Sequence, residues 1–267
     1  MYAFEYQKVA TLSAASSALA AHPDAKLLAG GMTLLPSMKH RLAAPSHLID
    51  IAGLNEMRAI ALEGTQLTIG AGTRHCDVAD SSDVRHAISA LADLANQIGD
   101  PQVRARGTLG GSVANNDPAA DYPAAVLGLN SVVVTNRRQI AADDFFQGMF
   151  ATLLEADEII VAIRFAVPRR AAYAKFAQMA TGYAMTGVMV ADYGDHVRVA
   201  VTGAGSCVFR WKEAEARLAK NFSEQSLQGL SYPADNLTAD IHAPAEYRAN
   251  LVSVMTHKAV KSLGASV

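Results

Sequence analysis

Hydrophobic positions along this chain switch between two periods, and most switches fall at Gly, Pro, Asn or Asp. After Thr11, Leu12, Ala15 and Leu19 recur at helical spacing until Pro23-Asp24 interrupts them. A short apolar strand, Lys26-Leu27-Leu28-Ala29, runs into a glycine turn, after which Leu34, Leu35 and Met38 share a helical face and His47-Leu48-Ile49-Asp50-Ile51 reads as the next strand. Past Gly53, two strands at 59–62 and 66–69 around Glu63-Gly64-Thr65 predict a hairpin. The stretch 82–99 predicts a single helix, with Val84, Ile88, Leu91, Ala95 and Ile98 on one stripe, Asp83 in the first turn and Gly99 after the end. Residues 99–123 are crowded with Gly, Asp, Asn and Pro and predict a long ordered loop, a feature that is usually functional. Strands follow at 132–135, 158–163, 187–193 and 197–202, then helices at 210–220 and about 245–263. No internal repeat or low-complexity tract interrupts the pattern.

With 267 residues and 51% hydrophobic content the chain can bury a substantial core and divides into more than one compact unit. A net charge of −2, with 18% charged residues and no basic run, argues against a nucleic-acid or membrane-surface footprint. The start, Met1-Tyr2-Ala3-Phe4-Glu5-Tyr6, lacks a basic segment followed by an apolar core, and no apolar run reaches bilayer length, so a cytoplasmic protein is expected. Cys76 and Cys207 stand far apart without neighbouring ligands, and the eight histidines are scattered. No iron–sulfur cluster or structural zinc is therefore expected in this chain.

Two glycine-rich loops, roughly eighty residues apart, carry the chemistry: Ala29-Gly30-Gly31-Met32-Thr33 and Thr108-Leu109-Gly110-Gly111-Ser112. Each places adjacent glycines, whose amides can close on an anion, beside a hydroxyl side chain. Together they predict a grip on one diphosphate from two sides, and hence a dinucleotide cofactor. Either pair alone fits an ordinary turn equally well. Thr202-Gly203-Ala204-Gly205-Ser206 follows a strand but lacks the third glycine of a dinucleotide fingerprint and reads as a turn.

The loop pair, the run from Gln102 to Ala114 and the continuation Asp117-Pro118-Ala119-Ala120-Asp121-Tyr122-Pro123 resemble the flavin-binding medium subunit of molybdenum hydroxylases, the family of aerobic carbon monoxide dehydrogenase and of the flavin domain of xanthine dehydrogenase. The resemblance continues through Tyr173-Ala174-Lys175-Phe176, the Tyr183-Ala184 pair and the Tyr247-Arg248 opening of the last helix. It implies an α+β FAD-binding fold of the vanillyl-alcohol-oxidase or PCMH type, with subdomains at 1–52 and 53–170 and a smaller α+β domain at 171–267 over the isoalloxazine. It also implies a partner set: a molybdenum-pterin large subunit and a 2Fe-2S small subunit, assembled as a dimer of heterotrimers, with no catalytic or metal-binding side chain in this chain.

By the same resemblance, Ala29, Gly30, Gly31, Met32 and Thr33 hold the diphosphate from one side and Thr108, Gly110, Gly111 and Ser112 from the other. Asp121 accepts hydrogen bonds from cofactor hydroxyls or a flavin N–H, Ile98 and Ile160 form apolar walls, Lys175 supplies a nearby cation and Tyr183 covers the ring. The residues by themselves allow plainer roles: a turn initiator at Asp121, core packing at Ile98 and Ile160, a solvated Lys175 and a packed Tyr183. Three positions depart from the family pattern. Met32 replaces a common histidine, Ser112 a common asparagine, and Gly182 an aspartate. Two further readings stand beside this one: a stand-alone PCMH-like flavin oxidoreductase, and a flavin-free assembly subunit.

Overall fold

A computed structural model of the protein describes residues 1–264. In chain order the elements are β1 (Glu5–Lys8), α1 (Leu12–Ala21), β2 (Lys26–Leu28), α2 (Leu34–Lys39), β3 (His47–Asp50), β4 (Ile60–Glu63), β5 (Gln66–Gly70), α3 (His75–Asp80), α4 (Ser82–Ala87), α5 (Ser89–Asn96), α6 (Pro101–Arg106), α7 (Leu109–Asn115) and α8 (Tyr122–Gly128). They continue with β6 (Val132–Thr135), β7 (Gln139–Ala141), α9 (Ala142–Phe145), β8 (Phe146–Gly148), β9 (Ala151–Thr152), β10 (Ile160–Ala166), β11 (Arg170–Ala177), β12 (Ala184–Asp192), β13 (Val197–Thr202), β14 (Phe209–Arg210), α10 (Lys212–Lys220) and α11 (Ala245–Gly264).

Among the described residues three larger sheets and the two-stranded β8-β9 hairpin organise this α+β fold. The first is parallel, in the order β1-β3-β2; the second is antiparallel, β4-β5-β10-β6-β7; the third is antiparallel, β11-β12-β13-β14. The inner strands of the third sheet, β12 and β13, are buried on both faces. Met189 and Ala191 of β12 turn toward the core shared with the second sheet and α8, while the alternate residues Val188 and Val190 pack with Trp211, Leu218, Val252 and Met255 under α10 and α11. The third sheet thus joins two cores. Among the described residues no helix is long and apolar enough to cross a membrane.

The predicted helix over 82–99 is instead two helices. Ile88 adopts φ −146° and ψ 79° between α4 and α5, its amide closing back on Val84 O at 2.7 Å. Val84, Ile88, Leu91 and Ala95 are still buried, so the apolar stripe survives the break in direction. The segment 99–123 is likewise not a loop. Asp100 caps α6 through a 2.8 Å bond from the Val103 amide with Pro101 in the first turn, and Thr108 caps α7. The polar residues that suggested a loop are helix starts. Strand β10 begins at Ile160 because Glu158 is held by Thr135 and Arg138, and Arg210 belongs to β14, so α10 starts two residues later than predicted.

Candidate functional site

Both glycine loops open onto one cleft of about 1140 Å³, and every predicted site residue except Lys175 lines it. The first loop packs against the end of α6, just before the second loop. A Cβ added at Gly30 would overlap the Arg106 carbonyl, and it would come within 2.8 Å of the Gly107 Cα. Two elements distant in sequence are thereby locked at backbone separation.

The first loop leaves β2 and enters α2 with Gly31 at φ +73°, a left-handed conformation that favours glycine. Among the described residues, the amides of Gly30, Gly31, Met32 and Thr33 find no acceptor, and Thr33 makes no side-chain cap. Four consecutive unpaired donors beside a cleft form a cradle for an anion.

The second loop is different. The Leu109 amide donates to Thr73 O at 3.0 Å, Gly110 to Ala71 O at 2.8 Å, Gly111 to Thr108 Oγ1 at 3.2 Å and Ser112 to Thr108 O at 3.0 Å. Its amides are spent inside the protein. Gly110 is glycine because Ala71 Cβ lies 2.5 Å from where its own Cβ would sit, whereas a Cβ at Gly111 would meet only the Thr108 hydroxyl, at 2.9 Å. What this loop exposes to the cleft is the open Cα surface of Gly111 and the half-buried Ser112.

Asp121 occupies the N-cap position of α8, yet its side chain caps nothing. Instead Tyr173 OH donates to Oδ1 at 2.5 Å and Lys175 Nζ to Oδ2 at 2.9 Å, with Oδ1 also 2.9 Å from Nζ. Lys175 is itself buried and donates to Gln97 O at 3.1 Å. Burial pushes the Asp121 carboxyl up, against the pull of Lys175 and the Tyr173 hydroxyl. The Lys175 cation is therefore neither solvated nor in the cleft wall; it sits behind Asp121. Pairing cancels the charge of Asp121 but leaves acceptor capacity on the carboxylate, so polar groups of a polyanionic ligand can approach it without net repulsion.

Ile98 is half-buried and Ile160 buried, both at the cleft wall and both continuous with the main core. Tyr183 is exposed at the rim, its phenol pushed up by partial burial and by Asp117 and Asp121. The preceding Gly182 has φ +73°, which gives this residue a backbone reason to be glycine. The reach of the third sheet into the site is direct: the amides of Ala184 and Gly203 donate to Ala119 O and Pro118 O, and Thr202 Oγ1 donates to Ala120 O at 2.7 Å. Of the segment 202–206 read as a turn, Thr202 ends β13, and the rest bends away from it with Gly205 bridged to Leu237.

Sequence reasoning missed His75 and Asn116. His75 is buried under the second loop, its amide donating to Gly107 O and its Nδ1 without a partner; burial and Arg104 lower its pKa to about 4. A Cβ at Gly107 would meet His75 Nε2 at 2.5 Å, so the glycine before Thr108 is set by this ring. Asn116, left-handed at φ 44°, donates to Gly148 O and Ala151 O and so ties the β8-β9 hairpin, with exposed Phe150, to the cleft. An Asn following a helical stretch was the available signal for the second. Among the described residues no cluster of three or more His, Cys, Asp or Glu could hold a metal ion.

A cleft with a row of free amides, apolar Ile98 and Ile160 in its lining and a neutralised carboxylate fits an FAD molecule: anionic diphosphate, apolar ring and hydroxylated chain each find matching surface. The family model for the FAD binding domain in molybdopterin dehydrogenase matches residues 2–169. The chain is 37% identical to the carbon monoxide dehydrogenase medium chain of Hydrogenophaga pseudoflava, covering 90% of this chain and 89% of that one. It is 35% identical to the nicotine 6-hydroxylase medium subunit of Paenarthrobacter nicotinovorans, covering 98% of both. The structure superimposes on the solved carbon monoxide dehydrogenase of Hydrogenophaga pseudoflava with a TM-score of 0.89 at 35% identity, over 97% of this chain and 96% of that chain. The chain belongs to the family of FAD-binding domains of molybdopterin dehydrogenases, and FAD is its cofactor.

Proposed function

We propose that this chain is the electron-transfer subunit of a heterotrimeric molybdenum hydroxylase in the cytoplasm. It takes electrons from a 2Fe-2S small subunit, served by a molybdenum-pterin large subunit, and passes them to an external acceptor. FAD, when bound, supplies the redox chemistry; the protein supplies grip, orientation and shielding. The observation that carries this reading is the run of four unpartnered amides from Gly30 to Thr33 on a cleft that also holds the second loop and Asp121. Ala29 to Thr33 hold the diphosphate, with Thr108, Gly110, Gly111 and Ser112 opposite. Asp121 accepts from the cofactor, Lys175 balances its charge, Ile98 and Ile160 wall the ring and Tyr183 covers it. In this division, residues 1–52 and 53–170 grip FAD and 171–267 close over it, and two heterotrimers pair.

Heat release and chromatographic identification of the cofactor from the purified complex test this directly. About one FAD per chain, reduced by the complex's substrate only when the iron–sulfur subunit is present, is the expected result. Bleaching of FAD by an organic substrate in the isolated chain would favour a stand-alone oxidoreductase, and absence of flavin in the complex an assembly subunit. Gly111→Glu, which puts bulk and negative charge on the open face of the second loop, should abolish FAD retention; stoichiometric FAD in that variant would refute the placement of the diphosphate.

A further inference from the structure

We infer that Tyr173, which lines the back of the site rather than the cleft itself, is a positioning residue for the cofactor, acting through Asp121, and that Gly187 is glycine to admit it. The inference rests on FAD occupying the cleft as proposed above. Tyr173 and Lys175 are two apart on β11 and point to one face of the third sheet, where Tyr173 pairs with Met189 and Lys175 with Gly187 on β12. The Tyr173 ring leans along the strands so that its hydroxyl lies over Gly187. A Cβ there would overlap the hydroxyl and stand 2.9 Å from Cζ. Gly187 is not in the left-handed region, so its backbone imposes no glycine. The absent side chain is instead the passage by which the phenol reaches Asp121.

What the phenol does there follows from geometry. Lys175, 2.9 Å from both oxygens, holds the Asp121 carboxylate from one direction only. The 2.5 Å bond from Tyr173 to Oδ1 adds a second direction, and two donors from two side chains set the rotation of the carboxylate about its Cβ–Cγ axis. Asp121 is buried and its side chain is not spent on the helix it begins. It also lines the cleft. Two donors from behind therefore aim the remaining lone pairs at the cofactor.

A double-mutant cycle on the full-length chain tests this, with FAD dissociation constants read by flavin fluorescence. Tyr173→Phe keeps the ring and removes the hydroxyl; a lost hydrogen bond to a charged group predicts about tenfold weaker FAD binding. In an Asp121→Asn background the same change should cost less than about twofold, since its target is gone. Gly187→Ala, which leaves Tyr173 intact but displaces its hydroxyl, should reproduce the loss. These effects are measured at a temperature where thermal melts show every variant folded, so that a purely structural role would leave the constants in place. Affinity within twofold of the parent in Tyr173→Phe would overturn the inference, as would an undiminished loss in the Asp121→Asn background. Failure of the parent chain to bind FAD would overturn instead the reading of the cleft on which the inference stands.

Discussion

The two glycine loops look alike in sequence and are built for different work. In the first, the amides of Gly30 to Thr33 are unpaired and Gly31 holds a left-handed turn; in the second, every amide from Leu109 to Ser112 is already bonded inside the protein. The first loop is a donor array. The second is a packed wall, whose Gly110 lets α7 press against Ala71 and whose Gly111 leaves open surface above Thr108. Glycine repetition thus serves two physical needs, a backbone exposed to an anion and a backbone pressed to another backbone. The pair is brought together because the first loop packs at Gly30 against Arg106 and Gly107, at the end of α6 that leads into the second loop.

The largest expected effect is on pH dependence beneath the second loop. His75 takes a proton near pH 6.5 in the unfolded chain but only near 4 when folded, so the unfolded state binds more protons between those values and stability falls as pH is lowered through that window. The loss should approach but not exceed ~3 kcal/mol. Urea midpoints from pH 7 to 4 should drop in the parent, and the slope should flatten in His75→Gln; equal slopes would remove His75 as the cause.

Next are the glycines with no room. Gly110→Ala and Gly30→Ala should each destabilise by roughly 1–3 kcal/mol through backbone overlap, as measured by chemical unfolding. Tolerance of alanine at Gly110 would mean that the second loop is not pressed against Ala71 in solution. Thr108→Ala removes the α7 cap, and a loss of ~1 kcal/mol is expected in the same assay. Smallest in stability and most telling are Thr33→Ala and Gly111→Ala. The Thr33 hydroxyl has no partner among the described residues, so Thr33→Ala should change stability by less than ~0.5 kcal/mol; in Gly111→Ala the gain in helix propensity is offset where the new Cβ presses on the capping Thr108 hydroxyl 2.9 Å away, and the net loss should stay below the ~1 kcal/mol of the cap. FAD affinity should nonetheless fall several-fold in both. Stability loss without affinity loss would invert the comparison and make these positions structural.

Much of this was legible without coordinates. Thr11 and Pro23-Asp24 bounded α1, the 59–69 hairpin and the β12 and β13 strands were marked by alternation and turns, and residues of both loops line one cleft, although the second loop's amides are bonded inside the protein rather than turned to an anion. What misled was punctuation. Ile88 carries no breaking residue, so the bend between α4 and α5 left no local mark, while Asp100-Pro101 and Thr108 looked like loop and were caps. His75 was invisible because a lone histidine is defined only by what surrounds it, here Gly107, Arg104 and Tyr122.

The sequence by itself determined the elements with a strong period and the residue types able to meet a dinucleotide, because local conformational preference and side-chain chemistry are written residue by residue; the α+β class came from the resemblance those residues carry. Only the tertiary structure decided which amides remain unpaired, that Lys175 stands behind Asp121 rather than in the cleft, and that Tyr173 reaches the same carboxylate over Gly187. Those outcomes are competitions between partners far apart in the chain. A donor is free or spent according to which acceptor the fold brings within 3.5 Å, and no local pattern records that choice.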